Sequence, residues 1–224
     1  MKLSFNKHIL NLSVIDSGVI TPMMAVIHRF REPGTYSARV LRGDDQVAGF
    51  SIVVDRDAPL VPAQIDLGDI QCPATVVSPE THVLFRAPAS PEGYSVVVEQ
   101  AEGRKGQVAF DNRKLGDGDI LMAMLFRPGR YVATDERGAR CEISVALPVK
   151  GAARYIASQK RGVISHGSAI SVEYGKDGFR PGKIEAGSAQ GLMFMIRAPA
   201  RIRIAFQEEG GAAGRKQKAG KAAK

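Results

Sequence analysis

The sequence predicts an all-β protein, built as two or three Greek-key-like antiparallel β-sandwich modules with a disordered basic C-terminal tail. Three observations predict it. Short runs in which apolar and polar residues alternate recur at roughly 8–12-residue spacing, the pattern of sandwiches and barrels. The 24 glycines and 12 prolines fall largely between those runs. Helix-type apolar periodicity is scarce, and only "GAARYIASQKR" (151–161) reads as a short helical turn or two. A composition of 44% hydrophobic and 24% charged residues over 224 positions suits a globular chain with a sizeable core.

The elements follow in order. "MKLSFNKHILNLSV" reads as the first strands of the fold, because charge and Asn interrupt it before an apolar signal-peptide core could form. No run approaches the roughly 18–20 residues that span a bilayer. The expected location is therefore cytoplasmic or within an intracellularly assembled particle. "TYSARVL" (35–41) directs Tyr36, Ala38 and Leu41 inward, and "VAGFSIVV" (47–54) does so with Phe50, Ile52 and Val54. "HVLFRA" (82–87) and "GYSVVVE" (93–99) flank the turn "ASPE". "DILMAMLF" (119–126), "RYVATD" (130–135) and "RCEISVAL" (140–147) follow, the last two joined by "DERG". "GLMFMIRA" (191–198) and "RIRIAFQ" (201–207) close the series, with Ile202, Ile204 and Phe206 inward and Arg201 and Arg203 outward. The Pro-rich joints "DRDAPLVPAQ" and "ALPVKGAA" divide the chain into an N-terminal β module (1–59), a central β-sandwich (60–148), a C-terminal β module (149–209) and a flexible tail (210–224).

A motif occurs three times: "FREPGTY" (30–36), "FRPGRY" (126–131) and "FRPGKI" (179–184). Proline presets φ at the second position of a turn and glycine supplies the positive φ of a type II turn. The expectation is a hairpin device, with the aromatic residues facing one core from adjacent strands and Arg31, Arg127 and Arg180 kept wet. The first two copies lie in longer parallels, "MMAVIHRFREPGTYSARVLRGDDQVAGFSIVV" and "LMAMLFRPGRYVATDERGARCEISVAL", which reads as an internal duplication of about 30 residues.

"PGTYSARVLRGDDQVAGFSIVV" and "PGRYVATDERGARCEISV" resemble the final strand pair of immunoglobulin-like and cupredoxin-like sandwiches, and "FRPGKIEAGSAQGLMFMI" is similar to an early cupredoxin stretch. The resemblance implies a fold class and no activity. Type 1 copper needs two His, a Cys and an axial ligand, and no His or Met lies near Cys141. The antibody-type Trp and Tyr-x-Cys pattern is missing as well.

Candidate chemistry is sparse. His8, His28, His82 and His166 are never at metal-ligand spacing, and two cysteines cannot make a four-ligand zinc site. Cys141 lies on the apolar face of its strand as a small hydrophobe, and pairing with Cys72 is left open. Ser165 and Ser168 beside His166 lack a nucleophile elbow and a placed carboxylate. "DLGDI" (66–70) and "LGDGDI" (115–120) read as Asp-Gly turns rather than calcium loops. No catalytic, cofactor or metal site is expected, and the protein is not expected to be an enzyme.

The tail "GGAAGRKQKAGKAAK" carries five of the eight net positive charges. It has no large apolar residue with which to pack. Arg197, Arg201, Arg203, Arg215, Lys216, Lys218, Lys221 and Lys224 are the candidate polyanion contacts. Any nucleic-acid contact would be non-specific, since no aromatic residue of the tail can stack on bases. The leading expectation is a non-catalytic structural or accessory subunit, assembling with other protein subunits or with itself through β-sandwich surfaces. Met23, Met24, Met122, Met124, Met193 and Met195 motivate it. They lie on strands apolar on both faces, which are either central core strands or surfaces covered by a partner. The alternatives are a polyanion or nucleic-acid binding protein acting through the tail, and an enzyme with an unrecognised site.

Overall fold

The structure, a computed structural model, describes residues 13–101, 106–146 and 168–207. Seventeen strands and no helix make up these residues. They are β1 (Val14–Asp16), β2 (Met24–His28), β3 (Gly34–Arg42), β4 (Asp45–Val54), β5 (Ala63–Asp66), β6 (Ala74–Val77), β7 (Val83–Arg86), β8 (Ser95–Gln100) and β9 (Val108–Asp111). Then come β10 (Ile120–Met124), β11 (Gly129–Thr134), β12 (Arg140–Ala146), β13 (Ile170–Gly175), β14 (Gly178–Arg180), β15 (Lys183–Gly187), β16 (Gly191–Ile196) and β17 (Arg203–Gln207). The all-β expectation holds. The helical turn expected at 151–161 lies outside the described residues, as do most of the N-terminal strands expected before Val14 and the whole tail.

The strands form three sheets: a central one ordered β14-β13-β16-β10-β2-β7-β5, and two flanking ones ordered β6-β4-β3-β8-β9 and β1-β17-β11-β12-β15. Four pairings are parallel, β4–β6, β5–β7, β12–β15 and β13–β16. From β4 to β7 the chain alternates between a flanking sheet and the central one, so every second strand lies parallel beside its predecessor. The run from β12 to β16 repeats this winding, with β14 as an added edge strand. These are short coils of β-solenoid type, and they replace the antiparallel Greek-key sandwich that the sequence predicted. Parallel neighbours need a crossover connection, and here the crossover is a strand of the other sheet. The segments 1–59, 60–148 and 149–209 each place strands in the central sheet.

The internal duplication reaches well beyond 30 residues. β2 pairs antiparallel with β10 so that Val26 faces Leu121, Ile27 faces Ile120 and Ala25 faces Met122. Residues 95 apart are thus exchanged by a local twofold axis between Val26 and Leu121. The bridge Ile20–Tyr94 repeats as Leu115–Ala200, and the β3–β4–β6–β8–β9 sheet repeats as β11–β12–β15–β17–β1.

One face of the central sheet supplies its core residues, among them Val26, Phe85, Leu121, Val172, Leu192 and Phe194. The inner faces of both flanking sheets join them in one cluster, with Phe85 stacked on Phe110 at 5.1 Å. Tyr36, Ala38, Leu41, Phe50, Ile52 and Val54 are buried as the alternation predicts, as are Cys141, Ile143, Val145, Ile202 and Ile204.

The Pro-Gly motif is not a hairpin. Its first two copies lead from β2 to β3 and from β10 to β11, out of the central sheet into a flanking one, and the third leads from β14 to β15 in the same way. Each is a corner at which the chain changes sheet. The hydroxyl of Tyr36 donates to the Glu32 carbonyl at 2.7 Å and that of Tyr131 to the Arg127 carbonyl at 2.8 Å, bracing the two Tyr-bearing corners identically. Gly34 and Gly129 have φ of 146° and 141°, a region open to glycine and costly for side chains.

Candidate assembly surface

The outer face of the central sheet departs from what a solvated sheet should carry. Antiparallel sheets with one wet face alternate apolar-in with polar-out. Here the outward positions of the four middle strands include Leu84, Ile27, Ile120, Met122, Met193 and Met195, all half-buried and none part of the core cluster. Register aligns them across the strands: Leu84 beside Ile27, Ile27 beside Ile120, Ile120 beside Met195, and Met122 beside Met193. Met124, at the end of β10, is 40% exposed. Polar residues return only toward the edges. Arg86 and Asp66 lie at 4.0 Å on one side, and Glu173 and Arg197 at 3.9 Å on the other. The methionine strands are core on one face, the first of the two readings of their pattern, and carry apolar residues with a polar rim on the other.

The arginines singled out from the sequence do not form a free basic surface. Arg201 is held by Asp16 through two hydrogen bonds, Nε to Oδ1 at 2.8 Å and Nη2 to Oδ2 at 3.0 Å. The hydrogen bond to Asp16 pushes its pKa further up. Arg197 faces Glu173. Arg203 has no carboxylate within 4 Å among the described residues, and it lines an open cleft of about 420 Å³ with Thr134, Asp16, Asp135, Glu136 and Arg201. Three acids against two arginines leave that cleft without positive excess. Arg215, Lys216, Lys218, Lys221 and Lys224 lie outside the described residues.

Asp135 organises the turn "DERG" beside this cleft. Its carboxylate accepts from the Arg137 and Ala139 amides at 3.0 and 2.7 Å, from the Arg137 guanidinium at 3.1 Å and from the buried Tyr174 hydroxyl. Burial by itself would raise its pKa, but the hydrogen bonds from Tyr174, Ala139 and Arg137 prevail and hold it below the usual carboxylate range. Four donors on one carboxylate make this a structural clasp with little capacity left for a ligand.

The remaining candidates stand apart. His28 is the one histidine with a carboxylate partner among the described residues. Its Nδ1 lies 2.6 Å from Asp119 Oδ1, while Asp119 Oδ2 accepts from the Gly116 amide at 2.6 Å. The His28 ring packs on Phe30 and Phe110, so the pair belongs to the core. His82 and Ser168 are exposed and far apart in the fold, and His8, Ser165 and His166 lie outside the described residues. The turn "DLGDI" closes with the Gly68 amide on Asp66 at 3.0 Å, as an Asp-Gly turn should. No group of three His, Cys, Asp or Glu side chains is placed to hold a metal among the described residues. Cys72 and Cys141 are both free, one exposed and one buried, which closes the question of their pairing. Burial, then the charge of Glu142, pushes the Cys141 thiol up to about 11.

Compared with protein-family models, with curated proteins and with solved structures, the chain matches none. No helix of the described residues is long and apolar enough to cross a membrane. Sequence reasoning missed the His28–Asp119 pair, whose members are 91 residues apart. It also missed Leu84 and Ile27 as parts of the outer surface, though both-faced apolarity in "AVIH" and "VLFR" was the available signal.

Proposed function

We propose that the protein is a non-catalytic structural or accessory subunit that assembles with protein partners through its β-sheet surfaces. One observation carries this reading: the aligned apolar residues on the outer face of the central sheet, centred on Ile120 and Met122 and rimmed by Arg86, Asp66, Glu173 and Arg197. An apolar centre with a polar rim is the anatomy of protein interfaces, and exposed apolar patches on soluble proteins mark contact sites. The clasped carboxylate of Asp135 and the core position of the His28–Asp119 pair favour structural roles for the described polar clusters. Such a subunit would act in the cytoplasm or in a particle assembled there.

The test is isolation of the tagged protein from its source cell, comparing wild type with Met122→Glu. Partners held by the wild type and lost by the variant, at unchanged folding, are the expected result. An identical set of partners for both would refute this surface.

The polyanion reading retains the sequence of the tail as its support. Deleting 210–224 would then remove a salt-sensitive association with DNA or RNA. Unchanged binding after truncation, or none at low salt, would end that alternative.

A further inference from the structure

We infer that the occupant of the outer face is a second copy of this chain, docked as a twofold dimer in which two central sheets pack face to face. This rests on the assembly reading above and names its partner. Three features of the face point to self-association.

The first is extent. Seven strands about 4.8 Å apart and about five residues long cover roughly 34 by 16 Å, or about 540 Å². Two such faces bury about 1,100 Å² in total, just above the roughly 1,000 Å² that a specific interface requires. The four apolar strands alone would not reach it, so the occupant must cover the polar edges as well. A sheet of equal width does so.

The second is shape. With the twofold axis along the strands, each strand on one side of the centre faces its mirror position on the other side. With that axis on the central strand β10, Ile120 meets the partner's Ile120, Ile27 meets the partner's Met195, and the long Met193 settles over the partner's small Ala25. Alternation of large and small residues is how packed sheets interdigitate. With the axis across the strands instead, each strand would face its own copy, bringing Arg86 beside the partner's Arg86 and Glu173 beside the partner's Glu173, like charge against like.

The third is charge. In the first arrangement Arg86 comes beside the partner's Glu173, and by symmetry Glu173 beside the partner's Arg86. Within one chain the two residues sit on opposite sides of the sheet. Their charged neighbours, Asp66 and Arg197, stand at 4.0 and 3.9 Å, and the closer contact of Arg86 is with the neutral Gln64 amide. Two exposed, loosely paired charges of opposite sign therefore close both ends of the apolar strip.

The experiment measures mass in solution by sedimentation equilibrium and light scattering over a wide concentration range. It uses the full chain and four variants: Met122→Glu, Arg86→Glu, Arg86→Glu/Glu173→Arg, and Val47→Glu on the distant β3–β4 hairpin. Wild type and Val47→Glu are expected at twice the 24.0 kDa chain mass. Met122→Glu should weaken the dimer by about 100-fold or more, because a carboxylate would be buried unpaired. Arg86→Glu should weaken it by about tenfold, and the charge exchange should restore it. Because Arg86 and Glu173 are exposed, that pair decides the matter if Met122→Glu proves unfolded by circular dichroism. A wild type that stays monomeric, a dimer indifferent to Met122→Glu, or an exchange that fails to rescue would each overturn the inference. A monomer whose source-cell partners are still lost on Met122→Glu would overturn self-association alone. A monomer with no such partners would overturn the assembly reading too.

Discussion

Replacing Asp119 with alanine tests how the two halves of the chain are joined. Continuing the β2–β10 register by one residue brings His28 opposite Asp119, while the twofold-related position holds Met24 opposite Ala123. One end of the ladder is thus a buried polar pair and the other an apolar one. Asp119 is 3% exposed and accepts from His28 and from the Gly116 amide, both at 2.6 Å. Truncation leaves two donors without partners in the core. Each buried donor left unsatisfied costs about 1–3 kcal/mol. The His28 side chain retains 17% exposure, so a loss toward the lower end for the two together, about 3 kcal/mol, is expected, or a fall in Tm of about 6–12 °C at this chain length. The double variant His28→Ala/Asp119→Met copies the residues of the related end. It should lie about 1–2 kcal/mol below wild type, recovering the share of the loss due to His28, because only the Gly116 amide is then left without its partner. Urea unfolding of His28→Ala, Asp119→Met and the double variant completes the cycle. Additive effects within about 0.5 kcal/mol, or a loss below about 1 kcal/mol for Asp119→Ala, would refute both the coupling and the structural equivalence behind it.

Other outcomes follow from single sites. Gly129→Ala should destabilise more than Gly34→Ala by about 1–2 kcal/mol in chemical unfolding. Both glycines have a positive φ, but an added Cβ at Gly129 meets the Phe206 ring at 2.5 Å, whereas at Gly34 the nearest atom is 3.9 Å away. Asp135 titrates below its unfolded value near 3.9. Its hydrogen bonds therefore stabilise the fold fully above about pH 4, and this contribution is lost as pH falls through the lower folded value. Asp135→Asn should be less stable at pH 7 and should flatten the loss of stability below pH 4, measured by urea unfolding across that range. At pH 8 a thiol reagent should modify Cys72 rapidly and Cys141 only on unfolding, since Cys141 is buried with a thiol near 11. Two fast-reacting thiols in the native protein would contradict that placement.

Alternation in the sequence located many of the strands, though not β5, β6, β9, β13 or β15, and for those it located it told which side faces the core. Two-residue alternation is local, and a strand buried on one side writes its orientation directly into that pattern. Hence Tyr36, Ile52, Cys141, Ile143 and Ile204 point inward as read, and "DERG" turns between β11 and β12. Alternation is silent on partners, because the backbone groups that join strands are the same in every residue. "FRPGRY" shows the difference. Pro128 and Gly129 announce a change of direction, but whether the next strand pairs with the last or enters another sheet depends on the room beside β10, which β16 and β2 already occupy. The same holds for the parallel coils, for the ladder that brings His28 to Asp119 across 91 residues, and for the twofold exchange of Val26 with Leu121. Apolarity on both faces of the methionine strands was visible in one dimension. Only folding the two halves against each other decided which face became core and which was left as a surface.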